Sequence, residues 1–347
     1  MDTPVRVVQY GVGPIGLATV KHILRKEPTG RIKLVGAIDI DPDKVGKDVA
    51  ELVGQDAPTG LVVSDDATAL LERQRPDVVL HTTSSFLGSM YEQLIACAET
   101  GCNVVSSTEE LSYPYDRHPD IAREIDEVAR RNGVTIVGTG VNPGYAMDCL
   151  ALMATGVCAE VTEVHVRRVV DAGKRRRPLQ AKVGAGMTPG EFAERKATGK
   201  FGHIGLRESL LMVADGLGWV LDSADESLEP VISDRRVVTP YFTVEEGSVA
   251  GIHHSIRGTV DGVVRLSLSL QMYVGAADPV DAVRVVGDPP IDLRVEGGIF
   301  GDTATLATLI NTIPLAIQAS PGLKTTKDLP PVRAFATSPS TVMIRAV

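Results

Sequence analysis

Val8-Gln9-Tyr10-Gly11-Val12-Gly13-Pro14-Ile15-Gly16 is the stretch that decides the fold. An apolar run over residues 5–9 leads into it, and a helical pattern over 15–24 leads out. Gly-x-Gly-x-x-Gly between a strand and a helix is the turn that receives the pyrophosphate of a dinucleotide. Gly11 permits the tight turn, Gly13 lets backbone approach a phosphate, and Gly16 lets the helix lie close to the sheet. Pro14 and Ile15 open the helix, whose N-terminal N–H groups attract phosphate charge. An acid is expected about 20 residues further on, and Asp39 closes the next apolar run, 34–38. A carboxylate there accepts from a ribose 2′-hydroxyl and repels a 2′-phosphate, which favours NAD over NADP. Lys44, nearby in sequence, blurs that preference.

Outward from this turn, β-rich runs alternate with helical patterns. Strands are expected at 33–39, 62–63, Val78–His81, Asn103–Ser106 and Thr135–Gly138. Helices are expected from Asp65-Asp66, over 85–100, and over 119–132, stopped by Gly133. This alternation implies an α/β Rossmann domain built on a parallel sheet, with ligands beyond the C-terminal ends of the strands.

The pattern changes after about residue 150. Over 263–274, Val264, Leu266, Leu268, Leu270, Met272 and Val274 share one face, while Arg265, Ser267, Ser269, Gln271 and Tyr273 share the other. A strand so patterned is half-buried in a largely antiparallel sheet. Residues 162–170 repeat the pattern more weakly. Thr188-Pro189-Gly190-Glu191 reads as a capping box that starts a helix. Leu306, Leu309, Ile310, Ile313 and Ile317 have helical spacing, with Pro314 expected to kink the helix. The expected organisation is a dinucleotide-binding domain at 1–148 and an α+β substrate and dimerisation domain at 149–301. A C-terminal helical segment, 302–347, should pack back on the first domain.

Bulk composition narrows the function. The 347 residues are 44% hydrophobic and 23% charged, an ordinary globular balance. A net charge of −9 argues against nucleic acid as a partner, since phosphate binding needs clustered Lys and Arg. The run Lys174-Arg175-Arg176-Arg177 reads as a solvated loop. Cys97, Cys102, Cys149 and Cys158 form no metal-ligand spacing, so no metal is expected, and a reducing cytoplasm is the simplest setting. Neither a leader pattern nor an apolar run of the ~18 residues a membrane span needs is visible.

Three loops follow strand ends, where substrate should meet cofactor. In Thr82-Thr83-Ser84-Ser85 the small hydroxyls suit a ribose and nicotinamide. The loop Ser106-Ser107-Thr108-Glu109-Glu110-Leu111-Ser112-Tyr113-Pro114 lacks the lysine that would protonate a developing alkoxide; Glu109-Glu110 stands there instead. A carboxylate holds an ammonium or iminium and moves protons on and off nitrogen. The third loop is Gly138-Thr139-Gly140-Val141-Asn142-Pro143-Gly144-Tyr145-Ala146-Met147-Asp148.

These motifs, together with Gly202-His203-Ile204-Gly205-Leu206 and Leu309-Ile310-Asn311-Thr312-Ile313-Pro314, resemble the 2,4-diaminopentanoate dehydrogenases and the native amine dehydrogenases related to them. The resemblance spans nearly the whole chain. It implies a homodimer that interconverts an amine with a ketone or aldehyde plus ammonia, using NAD or NADP. It gives Glu109 the handling of ammonia and its protons, with Glu110 a lesser candidate. It places Tyr145 on the substrate pocket wall, with Asn142, Pro143 and Gly144 beside the cofactor. His203 reaches the substrate, and Asn311 touches the carboxamide. Arg167 and Arg168 are candidate anchors for a charged substrate tail, although solvated strand positions describe them more simply. The rival readings are a 4-hydroxy-tetrahydrodipicolinate reductase, a nucleotide sensor that no longer turns over, and a polyol dehydrogenase. His253-His254 lacks the continuation the reductase needs; a sensor has no use for an acid beside the nicotinamide; the polyol enzyme lacks its lysine.

Overall fold

The computed structural model describes residues 3–199 and 201–335. The first strand, β1 (Val5–Tyr10), is buried along almost its whole length and runs straight into the glycine turn. Helix α1 (Pro14–Lys26) begins there, with Gly13 as its N-cap and no side chain capping it. The chain continues through β2 (Ile32–Ile38), α2 (Val49–Val53), β3 (Val63–Ser64) and α3 (Ala67–Gln74). The acidic start expected for α3 is real: the Ala69 N–H donates to Asp66 Oδ1 at 3.0 Å. Next come β4 (Val78–His81), α4 (Leu87–Glu99), β5 (Asn103–Ser106), α5 (Pro119–Arg131) and β6 (Thr135–Gly138).

The second unit opens with α6 (Cys149–Thr155) and β7 (Glu160–Asp171), followed by α7 (Arg177–Lys182), α8 (Pro189–Ala197) and α9 (Leu206–Gly216). The expected capping box starts α8: Thr188 and Glu191 exchange side-chain-to-backbone hydrogen bonds. Strands β8 (Ser223–Ile232), β9 (Val237–Val238), β10 (Thr243–Val244), β11 (Val249–Val260), β12 (Val263–Tyr273), β13 (Val280–Asp288) and β14 (Ile291–Glu296) complete it. Six of these strands form one sheet in the order β14-β13-β7-β12-β11-β8. Only β7 and β12 run parallel; the other neighbours are antiparallel. The alternation read in β12 is the core face: Leu266, Leu268, Leu270, Met272 and Val274 are buried. Val264 departs from it at 39% exposure, because it pairs with Thr259 beyond the register shift at Gly258/Thr259, near the strand's end.

The chain then returns with α10 (Gly301–Gln318) and β15 (Gly322–Lys324), which pairs in parallel with β6. This closes a seven-stranded parallel sheet ordered β15-β6-β5-β4-β1-β2-β3. Helix α10 stops at Gln318, short of the expected span to 347; Pro321 lacks the N–H to continue it and Gly322 turns at φ +128°. Residues 336–347 of that span lie outside the described residues. Leu309, Ile310, Ile313 and Ala316 of α10 join the core formed by β1, β2 and β4. Within the described residues, one compact unit is therefore 3–140 with 302–335, and the other is Val141–Gly301. Among the described residues, no helix is long and apolar enough to cross a membrane, and no acid, His or Cys group is arranged to hold a metal.

Candidate active site

In the first unit the glycine turn has the geometry its spacing predicts. Gly11 sits at φ +86°, a conformation that L side chains rarely adopt. A Cβ on Gly16 would lie 1.9 Å from the Gly11 carbonyl oxygen, so only hydrogen fits. A Cβ on Gly13 would meet nothing within 4 Å. The α1 N-terminus, uncapped by any side chain, thus faces open space where a phosphate can approach its N–H groups. Asp39 ties into the same turn: the Val12 N–H donates to its Oδ2 at 2.7 Å, and the Asp41 N–H donates to its Oδ1 at 2.9 Å. Lys44 reaches Asp39 at 3.6 Å and Asp41 at 2.9 Å. Thr82 closes the turn from β4, its hydroxyl donating to the Gly11 carbonyl at 2.9 Å. These residues fit a dinucleotide.

The paired acids separate in role. Both lie on a 3₁₀ turn, Glu109–Ser112, beyond the C-terminal end of β5. That is the same sheet edge as the glycine turn, because β1, β4 and β5 run parallel. Gly138 of β6 lets the turn pack closely, since a Cβ there would lie 2.6 Å from Leu111 carbonyl carbon. Glu110 is buried. Its Oε2 accepts the Leu87 N–H at the start of α4 at 2.7 Å and stands 2.9 Å from His118 Nε2. Its carboxylate therefore caps α4. Glu109 is half-buried on the same turn. Ser84 is also half-buried, and its hydroxyl accepts the Phe86 N–H at 3.3 Å. Asn311, on α10, accepts the Phe335 N–H at 2.8 Å, which ties down the segment after β15.

In the second unit a cis peptide joins Asn142 to Pro143. Buried Asp148 fixes the loop that follows, accepting from the Gly144 N–H at 2.7 Å, the Cys149 N–H at 2.6 Å and the Ser209 hydroxyl at 2.8 Å. Burial raises its carboxyl above the usual range, against the pull of those donors. Tyr145, next along, is half-buried. His203 Nε2 lies 3.1 Å from Asn142 Nδ2. Burial, then the positive charges of Lys182 and Arg168 and the neighbouring His254, hold the His203 imidazole well below its ordinary range. His203 is therefore neutral, and its Nε2 accepts from the Asn142 amide. That hydrogen bond turns Asn142 Oδ1 the other way, where it is buried with no partner among the described residues.

Arg167 is the exposed strand residue expected, but Arg168 is not. It is 3% exposed, and its guanidinium donates to Asp281 at 2.5 Å and to the Ile299 carbonyl at 2.8 Å. The solvated reading of Arg168 fails because β13 brings Asp281 directly alongside it. His81, the last residue of β4, is wholly buried at the site's sheet edge, and sequence reading passes over it. A terminal histidine on an apolar strand carries no spacing signal.

Residues 145–344 match the family described as the 2,4-diaminopentanoate dehydrogenase C-terminal domain. A 2,4-diaminopentanoate dehydrogenase of Acetoanaerobium sticklandii is 32% identical over 337 residues, covering 95% of both chains. An amine dehydrogenase of Streptomyces virginiae is 22% identical, covering 94% of this chain and 96% of its own. The solved amine dehydrogenase of Mycobacterium smegmatis superposes with a TM-score of 0.83 at 26% identity, covering 96% of this chain and 98% of that one.

Proposed function

This chain belongs to the 2,4-diaminopentanoate dehydrogenase family, and from that premise we propose that it is an NAD(P)-dependent amine dehydrogenase. The reaction is the reversible oxidative deamination of an amine to a ketone or aldehyde and ammonia. The observation that carries this reading is the shared sheet edge: Glu109 follows β5 where the glycine turn follows β1.

The nicotinamide, when bound, takes up or gives back the hydride. Gly11, Gly13, Gly16 and the α1 N-terminus hold the pyrophosphate, with Asp39 at the adenosine ribose. Thr82, Thr83 and Ser84 line the ribose and ring. In the direction of deamination, Glu109 accepts a proton from the substrate ammonium, leaving a neutral amine whose lone pair supports loss of hydride. Glu109 then passes that proton to solvent, takes another from the water that adds to the iminium carbon and gives it to nitrogen, and ammonia leaves as the new hydroxyl loses its own proton to become the carbonyl. In the second unit, the unpartnered Oδ1 of Asn142 is an acceptor, and it suits an N–H-bearing guest. Tyr145 and His203, also in the second unit, are substrate-binding residues, and the active species is a homodimer. Glu110 serves Glu109 indirectly by anchoring the turn.

The test is a panel of amines with each oxidised cofactor, and of ketones and aldehydes with ammonia and each reduced cofactor, followed at 340 nm. Wild type turns over members of both panels. Glu109→Ala keeps cofactor binding and loses amine-linked turnover by about a hundredfold or more, the scale of a lost acid–base group. Undiminished turnover in that variant removes Glu109 from the mechanism.

A further inference from the structure

His81 stands where the two loops of the first unit's site are held together. It is the last residue of β4, between Tyr10 of β1 and Ser106 of β5, with no solvent exposure. Burial pushes its imidazole down to about 4, so the ring is neutral and one nitrogen donates while the other accepts. Nε2 lies 2.8 Å from Gln93 Oε1, which can only accept, so the proton is on Nε2. Nδ1 is then an acceptor, and the group 3.0 Å from it is the Ser106 hydroxyl.

From the ring, contacts run both ways. Towards the acids, the Ser106 and Thr108 hydroxyls are 3.0 Å apart, and the Thr108 N–H donates to Ser106 Oγ at 3.1 Å. Ser106 and Thr108 are as fully buried as His81, and Glu109 is the next residue. The His81 carbonyl itself accepts the Ser107 N–H at 2.9 Å. Towards the cofactor turn, the Thr83 hydroxyl stands 3.0 Å from His81 Nε2 and donates to Gln93 Oε1 at 3.0 Å. The Thr83 methyl is packed so close to Gly11 that a Cβ there would sit 2.8 Å away.

We infer that His81 is a positioning residue, which through Ser106 and Thr108 sets the place of Glu109 and through Thr83 sets that of the glycine turn. The inference rests on the amine dehydrogenase reading for its kinetic consequence only; the linkage itself is a property of the fold. Its chemistry is directional. A ring locked with Nε2–H towards Gln93 leaves Nδ1 to take the Ser106 proton and so to fix the Ser106 oxygen, which accepts the Thr108 N–H. A side chain of similar shape without ring nitrogens cannot do this. Misplacing a reacting group by about 1 Å costs up to about a hundredfold in rate.

Ser106→Ala removes only the hydroxyl that accepts Thr108 and donates to His81, with little risk to folding; His81→Phe removes the node. Three measurements decide the matter: turnover with amine or ammonia, binding of reduced cofactor by its fluorescence, and backbone hydrogen exchange. For Ser106→Ala, kcat falls about ten- to hundredfold and the ammonia KM rises, while the cofactor Kd stays within about threefold. Exchange quickens at 107–112 and 82–86 but not in β1, β2 or α5. His81→Phe lowers kcat further and, because Thr83 also loses its contact with the ring, weakens cofactor binding by more than about threefold. Turnover within about twofold of wild type in Ser106→Ala, or exchange unchanged in both segments, overturns the inference. If wild type turns over no amine at all, the functional reading falls, and hydrogen exchange alone decides the linkage. If His81→Phe does not fold, Ser106→Ala carries the test.

Discussion

The glycines show how one side chain can be separated into a folding role and a binding role. Gly13→Ala meets open space at φ −70°, an ordinary backbone angle. Its melting temperature is expected to fall only by a few degrees, because alanine is a poorer N-cap than glycine, by about 0.5–1 kcal/mol. Its dinucleotide Kd rises at least about tenfold, because the new methyl occupies the phosphate's approach. Gly16→Ala drives a Cβ into the Gly11 carbonyl and costs about 1–3 kcal/mol or more before any ligand is added. Differential scanning fluorimetry and cofactor titration separate the two. Roles of this kind were legible in the sequence because they depend on backbone and near neighbours. Glu110 and Arg168 were not legible: Leu87 lies 23 residues away from the first and Asp281 113 from the second. No local pattern announces either partner, so a cap and a buried ion pair read as candidate ligands for substrate. His81 escaped for the same reason, since its importance lies in Ser106 and Gln93, on other elements.

Elements were legible wherever periodicity was strong. β4, β5 and β6 have the expected bounds, and β12 shows its expected buried face. The weak places are caps and ends. Glu110→Ala leaves the first turn of α4 without its carboxylate, for a loss of about 1–2 kcal/mol. On the proposed mechanism, far more turnover survives there than in Glu109→Ala, and denaturant melts beside initial rates check both. At the second sheet, Arg168→Met strands Asp281 in a nearly dry environment, 2% exposed, and is expected to cost about 3–5 kcal/mol. The double variant Arg168→Met, Asp281→Leu recovers more than half of that loss in the same melts. The recovery is incomplete because the Ile299 N–H and carbonyl both lose partners. No recovery would mean the pair is not what stabilises this region.

For the molecule as a whole, buried histidines set the acid limit. His81 titrates at about 4 and His203 well below its ordinary 6.5. Between those values the unfolded chain binds protons that the native chain refuses, so stability falls as pH falls through that window. His81 alone contributes a loss of about 3 kcal/mol across it. Asp148 works in the opposite sense. Its raised carboxyl keeps a proton that the unfolded chain has already released above about 3.8, so its cost appears as pH rises. Melting temperatures between about pH 7 and 4.5 should therefore drop, and drop less steeply in His81→Phe. A flat profile in wild type would show that these rings are not held neutral.

β15 pairs with β6 from the far end of the chain, after the whole of Val141–Gly301 has intervened. During synthesis this unit is therefore begun before Val141–Gly301 and completed only after it. Until β15 clears the ribosome, β6 waits with one side of its backbone unpaired, a template for a stray strand. A chain halted near Gly301 should therefore clump in the cell rather than accumulate as a smaller, tidy protein.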